Sequence, residues 1–215
     1  MSNFLIEHLI HRDEDFMVIH KPAGLLTVPG KTEDLQDCVL HRLFAIEPRT
    51  LLIHRLDRDT SGILVFALSK FGQNRISRQF QERHTDKIYQ AVVVGHLHEQ
   101  QGTIDVPVVY DATRPPLHMV DLTWNKPAIT HWQVLERFYI QDQAVTRVKL
   151  IPVTGRSHQL RVHMQYIGHP MVGDTLYASV LQQKLMPRLC LHAEKLSFYH
   201  PKTEQAVDFY CPVPF

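Results

Sequence analysis

His54-Arg55-Leu56-Asp57-Arg58-Asp59-Thr60-Ser61-Gly62, running straight into Ile63-Leu64-Val65-Phe66-Ala67-Leu68, is the stretch on which the fold turns. A dense polar cluster ends at a glycine, and an apolar run of strand length begins. A loop leashed this tightly to a buried strand can hold side chains rigidly, as a reactive site requires. A solvated turn entering a core strand would share the composition, and it is the order of residues that sets this loop apart.

Upstream, Phe16-Met17-Val18-Ile19-His20-Lys21 reads as a short strand, ended by Pro22-Ala23-Gly24, with Pro29-Gly30 a second turn signal. From Asp34 the spacing of Leu35, Val39, Leu43 and Ile46 predicts a helix capped by Asp34 and stopped by Pro48. Downstream, Lys70 to Arg83 reads as a helix that buries Ile76 and Phe80, and Ile88 to Val94 as a strand. Residues 102–122, with Pro107, Pro115 and Pro116, suit short strands and a long loop. Ala128 to Phe138 and Ala144 to Val153 read as strands joined by a hairpin at Gln141-Asp142-Gln143. Thr154-Gly155-Arg156-Ser157 opens a helix with Ser157 as N-cap, and Gly168 ends it, with Pro170 just beyond. Leu189 to Phe198 and Ala206 to Tyr210 complete the strands. Many strands, few helices and no strand–helix alternation predict an α+β fold with a mixed, largely antiparallel sheet flanked by helices and loops. No repeat or linker interrupts it, so a single domain over residues 1–215 is expected.

Apolar residues make up 44% of the 215, enough for a sizeable core. No apolar run approaches the roughly 18 residues of a membrane span, and Met1-Ser2-Asn3-Phe4 does not open a signal peptide. Cys38, Cys190 and Cys211 are odd in number and far apart, which suits a reducing compartment, so the cytoplasm is expected. Net charge is only +1, but it is unevenly spread. Residues 1–48 carry 4 Lys and Arg against 8 Asp and Glu, whereas residues 49–88 carry 8 against 4. The positive excess surrounds the polar loop, where a phosphate backbone could meet it, although a solvated face gives the same count.

Other chemistries fit poorly. Ser61, His54 and Asp57 are present, but no Gly-x-Ser-x-Gly elbow surrounds the serine. His158 and His163 are five apart, wrong for one helical face, and neither His-Glu-x-x-His nor Cys-x-x-Cys occurs, so no metal is expected. No Gly-rich phosphate loop appears.

With these motifs in order, the chain resembles the RluA family of pseudouridine synthases. Lys21-Pro22-Ala23-Gly24-Leu25 is similar to that family's first motif and His54 to Gly62 to its second. Lys87-Ile88-Tyr89 is similar to its basic-x-Tyr strand, and Thr154-Gly155-Arg156-Ser157-His158-Gln159-Leu160-Arg161-Val162-His163 to its third motif. Gly168-His169-Pro170, Gly173-Asp174 and Leu191-His192-Ala193 follow in the family's order. The resemblance is greatest to members that act on both ribosomal and transfer RNA. No extra N-terminal RNA-binding domain of the S4 type is expected before Lys21.

The resemblance implies isomerisation of uridine in RNA without a cofactor. The N1–C1′ bond breaks, the uracil turns, and C5 bonds to C1′. Asp57 matches the family's catalytic aspartate, and a carboxylate beside a sugar–base bond is what glycosyl chemistry needs. Attack on C1′, attack on the base and proton abstraction from the sugar are all open to it. Arg161 matches the basic partner expected to pair with that carboxylate. Tyr89 is placed to stack on the uracil and Leu191 to pack against it, although both residue types also suit a plain core. Arg55 matches the arginine associated with the space left by a flipped nucleotide. Asp59 is assigned no chemistry. RNA stem-loops are the expected partner of a monomer that has no membrane contact. A catalytically silent RNA-binding or RNA-folding protein of the same fold is the alternative, and a nucleoside hydrolase that releases free base is a third.

Overall fold

Phe16-Met17-Val18-Ile19-His20-Lys21 and the run from Ser61 to Ala67 lie side by side as antiparallel strands, with Phe16 opposite Ala67 and Lys21 opposite Gly62. The structure is a computed structural model that describes residues 3–215. Its contacts gather into two units: the described residues through Lys87 with Ala193–Pro214, and Ile88–His192 with Phe215.

In the first unit the order is α1 (Asn3–His8), β1 (Leu9–Arg12), β2 (Phe16–Lys21), α2 (Val39–Phe44), β3 (Leu51–Leu52), β4 (Ser61–Ala67) and α3 (Lys70–Glu82). The chain then crosses into the second unit within β5 (Asp86–Val94). There follow β6 (Gln101–Asp105), β7 (Val108–Tyr110), β8 (His118–Val120), β9 (Ile129–Ile140), β10 (Gln143–Pro152), α4 (Gln159–Tyr166) and α5 (Val180–Gln183). It returns within β11 (Leu191–Tyr199) and ends with β12 (Ala206–Tyr210) in the first unit. The fold is α+β, with helices flanking sheets whose ladders run largely antiparallel.

The first unit orders its strands β1-β2-β4-β11, with β12 on β11 and β3 on β4. Every residue of β4 is buried, which explains a continuous apolar run in place of alternation. Phe16, Val18, Ile63 and Val65 pack with Ile76 of α3 and with Leu196, Phe198 and Cys211. Met17, Ile19, Leu64 and Phe66 are also fully buried. At about 1.5–3 kcal/mol for each fully buried large side chain, this pair of strands is a firm base for the polar loop.

The second unit orders β5-β10-β9-β6, with β7 and β8 forming a separate ribbon. Leu160 and Met164 of α4 pack with Ala91, Val93, Val148, Leu150 and Leu191. The hairpin turns at Gln141-Asp142, where Gln141 takes φ 53.

Two expected helix starts differ. The helix expected from Asp34 is a 3-10 turn at Glu33–Leu35, then a break, then α2 with Cys38 as its cap. The amides of Val39 and Leu40 donate to Leu26 and Thr27 oxygens, so tertiary pairing interrupts the helical register. Ser157 is not the N-cap of α4 either. His158 holds that position at φ 56, and the Gln159 side chain accepts the Arg156 amide at 3.0 Å in its place.

Candidate active site

The polar loop is fixed mostly through its backbone. His54 stacks on Phe80, centroids 4.5 Å apart, and its Nε2 accepts the Val65 amide at 3.2 Å. Burial, with the Lys87 charge adding to it, pushes the His54 pKa down to about 3, so the ring is a neutral acceptor. Thr27 Oγ1 holds Leu56 twice, donating to its oxygen at 2.8 Å and accepting its amide at 3.2 Å. Lys21 is fully buried, and its ammonium donates to the oxygens of Pro22, Leu25 and Arg58 at 2.8, 2.7 and 2.8 Å. The Gly24 amide adds a second bond to the Arg58 oxygen at 2.9 Å.

Asp57 therefore lies between two residues whose backbones are both pinned, Leu56 by Thr27 and Arg58 by Lys21 and Gly24. Its own oxygen accepts the Thr60 amide at 3.3 Å. The half-buried Asp57 and the exposed Arg55 share this loop, and Arg58 and Asp59 pair with each other at 3.0 Å. Gly62 closes the loop at φ 118, where an added Cβ would stand 2.3 Å from the Ala193 oxygen. Only glycine serves there, for both the backbone angle and the close approach.

Tyr89, Arg161 and Leu191 belong to the second unit. Tyr89 lies opposite Leu150 in the β5–β10 ladder and packs on the cluster that contains Leu191, Leu160 and Met164. Arg161, on α4, is 2% exposed. Its Nε and Nη2 donate to the two carboxylate oxygens of Asp174 at 2.8 and 2.6 Å, and its guanidinium lies 5.0 Å from the centre of the Tyr177 ring. Asp174 Oδ1 also accepts the amides of Leu176 and Tyr177, so the carboxylate is itself anchored. Sequence reasoning placed Gly173-Asp174 in order but missed this pairing. An acid thirteen residues on, past a helix end, gives no periodic signal for it.

The rest of the third motif locks α4 in place. Gln159 accepts from Thr154 Oγ1 at 2.7 Å and donates to the Ile129 oxygen and Thr130 Oγ1, both at 3.0 Å. His163 bonds Thr130 Oγ1 at 2.9 Å and the Val106 oxygen at 3.0 Å, and burial lowers its pKa. His158 Nδ1 meets the Tyr177 hydroxyl at 2.6 Å. These histidines are structural hydrogen-bonding groups.

The family model for RNA pseudouridylate synthase matches residues 15–166. The chain belongs to the RNA pseudouridylate synthase family. Within that family it is 45% identical over 207 residues to the dual-specificity RNA pseudouridine synthase RluA of Pasteurella multocida, covering 96% of this chain and 93% of that protein. The Escherichia coli K12 protein of the same name is 42% identical over 207 residues, with the same coverage. Among solved structures, human RNA pseudouridylate synthase domain containing 1 superposes with a TM-score of 0.81 at 33% identity, over 96% of this chain and 83% of that one. As a family member the protein is a pseudouridine synthase, an isomerase acting on RNA.

Proposed function

We propose that the protein isomerises selected uridines in loops of ribosomal RNA, transfer RNA or both, as a cytoplasmic monomer that needs no cofactor. Asp57 is the catalytic carboxylate. Tyr89 and Leu191 face the uracil, Arg161 supplies the balancing positive charge, and Arg55 fills the space left by the flipped nucleotide. The observation that carries this reading is the doubly pinned backbone around Asp57. A carboxylate held so firmly can be presented to a sugar–base bond with little reorganisation at the moment of reaction. The dual specificity in the names of the Pasteurella and Escherichia relatives supports more than one RNA as substrate.

During the reaction N1 gains a proton, C5 loses one, and the glycosyl bond moves from N1 to C5. RNA labelled with tritium at uridine C5 therefore tests the reading directly. The synthase releases tritium and leaves the chain intact. A silent RNA-binding protein releases none, and a hydrolase leaves abasic sites. Either of the last two results refutes the proposal.

A further inference from the structure

The β7–β8 ribbon of the second unit borders a cavity of about 890 Å³ that the reaction outlined above does not use. Arg156 and Ser157 of the third motif form part of its wall, together with Tyr110, Arg114, His118 and Trp124. Its size falls in the range of about 300–1,000 Å³ that suits a small-molecule-sized guest.

Two aromatic rings stay in solvent here, Tyr110 at 54% and Trp124 at 46% exposure. Among the described residues neither the Tyr110 hydroxyl nor the Trp124 indole nitrogen is hydrogen-bonded. Exposed rings grouped with cations mark a surface built for contact. The cations are held in place. The buried Asp111 carboxylate takes Arg114 Nε at 2.8 Å together with the Thr113 amide and hydroxyl, which leaves the outer guanidinium nitrogens of the exposed Arg114 to solvent. The exposed Arg156 is steered by one bond to the Pro127 oxygen at 3.3 Å, and Lys126 Nζ lies 5.8 Å from the Trp124 ring centre. The other carboxylate of the wall, Asp121, accepts the Thr123 amide and hydroxyl. Arg114 and Arg156 in the wall, with Lys126 close by, thus outnumber two acids, of which Asp111 has both oxygens engaged and Asp121 one.

We propose that this cavity is a second RNA subsite, which takes an unpaired nucleotide next to the loop that carries the target uridine. Its base stacks on Trp124 and Tyr110, and its phosphate bonds the outer nitrogens of Arg114 and Arg156. Flat rings beside arginines are how proteins hold single-stranded nucleic acid without reading its sequence. The inference rests on the RNA reading, but its test does not depend on turnover.

Single-stranded oligouridylate carrying 5-iodouridine is irradiated with the wild-type protein, and the cross-linked peptide is mapped. Affinity for the unmodified oligomer is measured by anisotropy for wild type, for Trp124→Ala and for Arg114→Ala with Arg156→Ala. A cross-link at Trp124 or Tyr110 is expected. Trp124→Ala should bind about tenfold more weakly, within the usual range for one stacked base. The double arginine variant should bind more weakly, with a salt slope shallower by roughly 0.7, the share of one phosphate on a single strand. All three substituted residues are exposed, and near-ultraviolet circular dichroism checks that each variant keeps the fold, Arg114→Ala above all because Arg114 pairs with the buried Asp111. A cross-link elsewhere, or variants that bind like wild type, overturns the proposal, including the case in which a protein segment fills the cavity. Failure of tritium release with every RNA would instead end the proposed function.

Discussion

Gly62→Ala isolates the demand that the polar loop makes on its final residue. Two costs add. At φ 118 an L side chain is strained by about 1–3 kcal/mol. The added Cβ would also lie 2.3 Å from the Ala193 oxygen and 2.5 Å from its nitrogen, backbone atoms that cannot rotate away. Forced repacking of that kind costs typically about 1–3 kcal/mol. The sum, roughly 2–6 kcal/mol, is a large part of a domain stability of about 5–15 kcal/mol. At about 2–4 °C per kcal/mol for a chain of this size, the midpoint should fall by roughly 4–24 °C. Gly24→Ala is the internal control. Its φ is 83, but nothing lies within 4 Å of an added Cβ, so it carries the strain alone. Urea and thermal unfolding followed by circular dichroism give both values. The Gly62 variant should also lose activity beyond its stability loss, because a displacement of about 1 Å at a catalytic group can cost a hundredfold. If the two variants unfold together and turn over equally, the close approach to Ala193 does not constrain the loop.

Asp57→Asn removes the charge at nearly constant volume and should lower turnover by at least about a thousandfold (roughly 4 kcal/mol) while RNA binding persists. Near-normal tritium release would end its assigned role. Asp174→Asn strips the carboxylate from a buried pair, and breaking such a pair costs about 3–5 kcal/mol; an unchanged urea midpoint would show that Asp174 is dispensable to Arg161. His54 is held near pKa 3 in the fold, whereas the unfolded chain takes up the proton near 6.5, so stability should fall as pH drops from about 6.5 towards 3. The His54 share of the slope approaches 1.4 kcal/mol per pH unit and should vanish in His54→Gln; identical slopes in the two proteins would mean that the ring titrates normally. For Arg55→Ala, 2-aminopurine beside the target uridine should report less flipping, with turnover falling well beyond the change in affinity. Weaker binding with normal flipping would reduce Arg55 to a phosphate contact.

The elements most legible in the sequence were those in which one signal dominates. Ser61 to Ala67 is an unbroken apolar run, and Ala206 to Tyr210 is a short alternating one, found where expected. Lys70 to Arg83 carries a helical period and forms α3 to Glu82, and the structure adds its cap, Ser69, whose hydroxyl accepts the Gly72 amide. What stayed hidden depends on partners distant in the chain. Lys21 reads as the last residue of a strand, and only the fold brings the Arg58 oxygen to its ammonium. His54 stands near Ser61 and Asp57 in sequence without a nucleophile elbow, and burial against Phe80 makes it a hydrogen-bond acceptor. The Arg161–Asp174 pair spans a helix end and a turn that no periodicity encodes. α1 and β1 went unread because Asn3 to Arg12 mixes polar and apolar residues without a clean period.

The hidden partners and the visible motif belong to one physical design. A motif of nine residues, most of them polar, would be expensive to keep in place if each side chain needed its own partner. Here the load is divided. His54 and Leu56 are anchored by a ring nitrogen and a hydroxyl, and Arg58 by its backbone oxygen through Lys21 and Gly24. Those bonds run through the residues on either side of Asp57 and through the start of the loop. Lys21 does this with a point charge, since three carbonyls converging from different directions suit an ammonium and not a planar guanidinium. Arg161 meets the opposite requirement, a planar fork against a planar carboxylate, and takes both oxygens of Asp174. The two buried cations are therefore not interchangeable. Lys21→Arg would overfill a site shaped for one nitrogen, and Arg161→Lys would forfeit one of two parallel bonds. In the polar loop it is the match of one ammonium to three carbonyls that helps hold the Asp57 backbone at a fixed place.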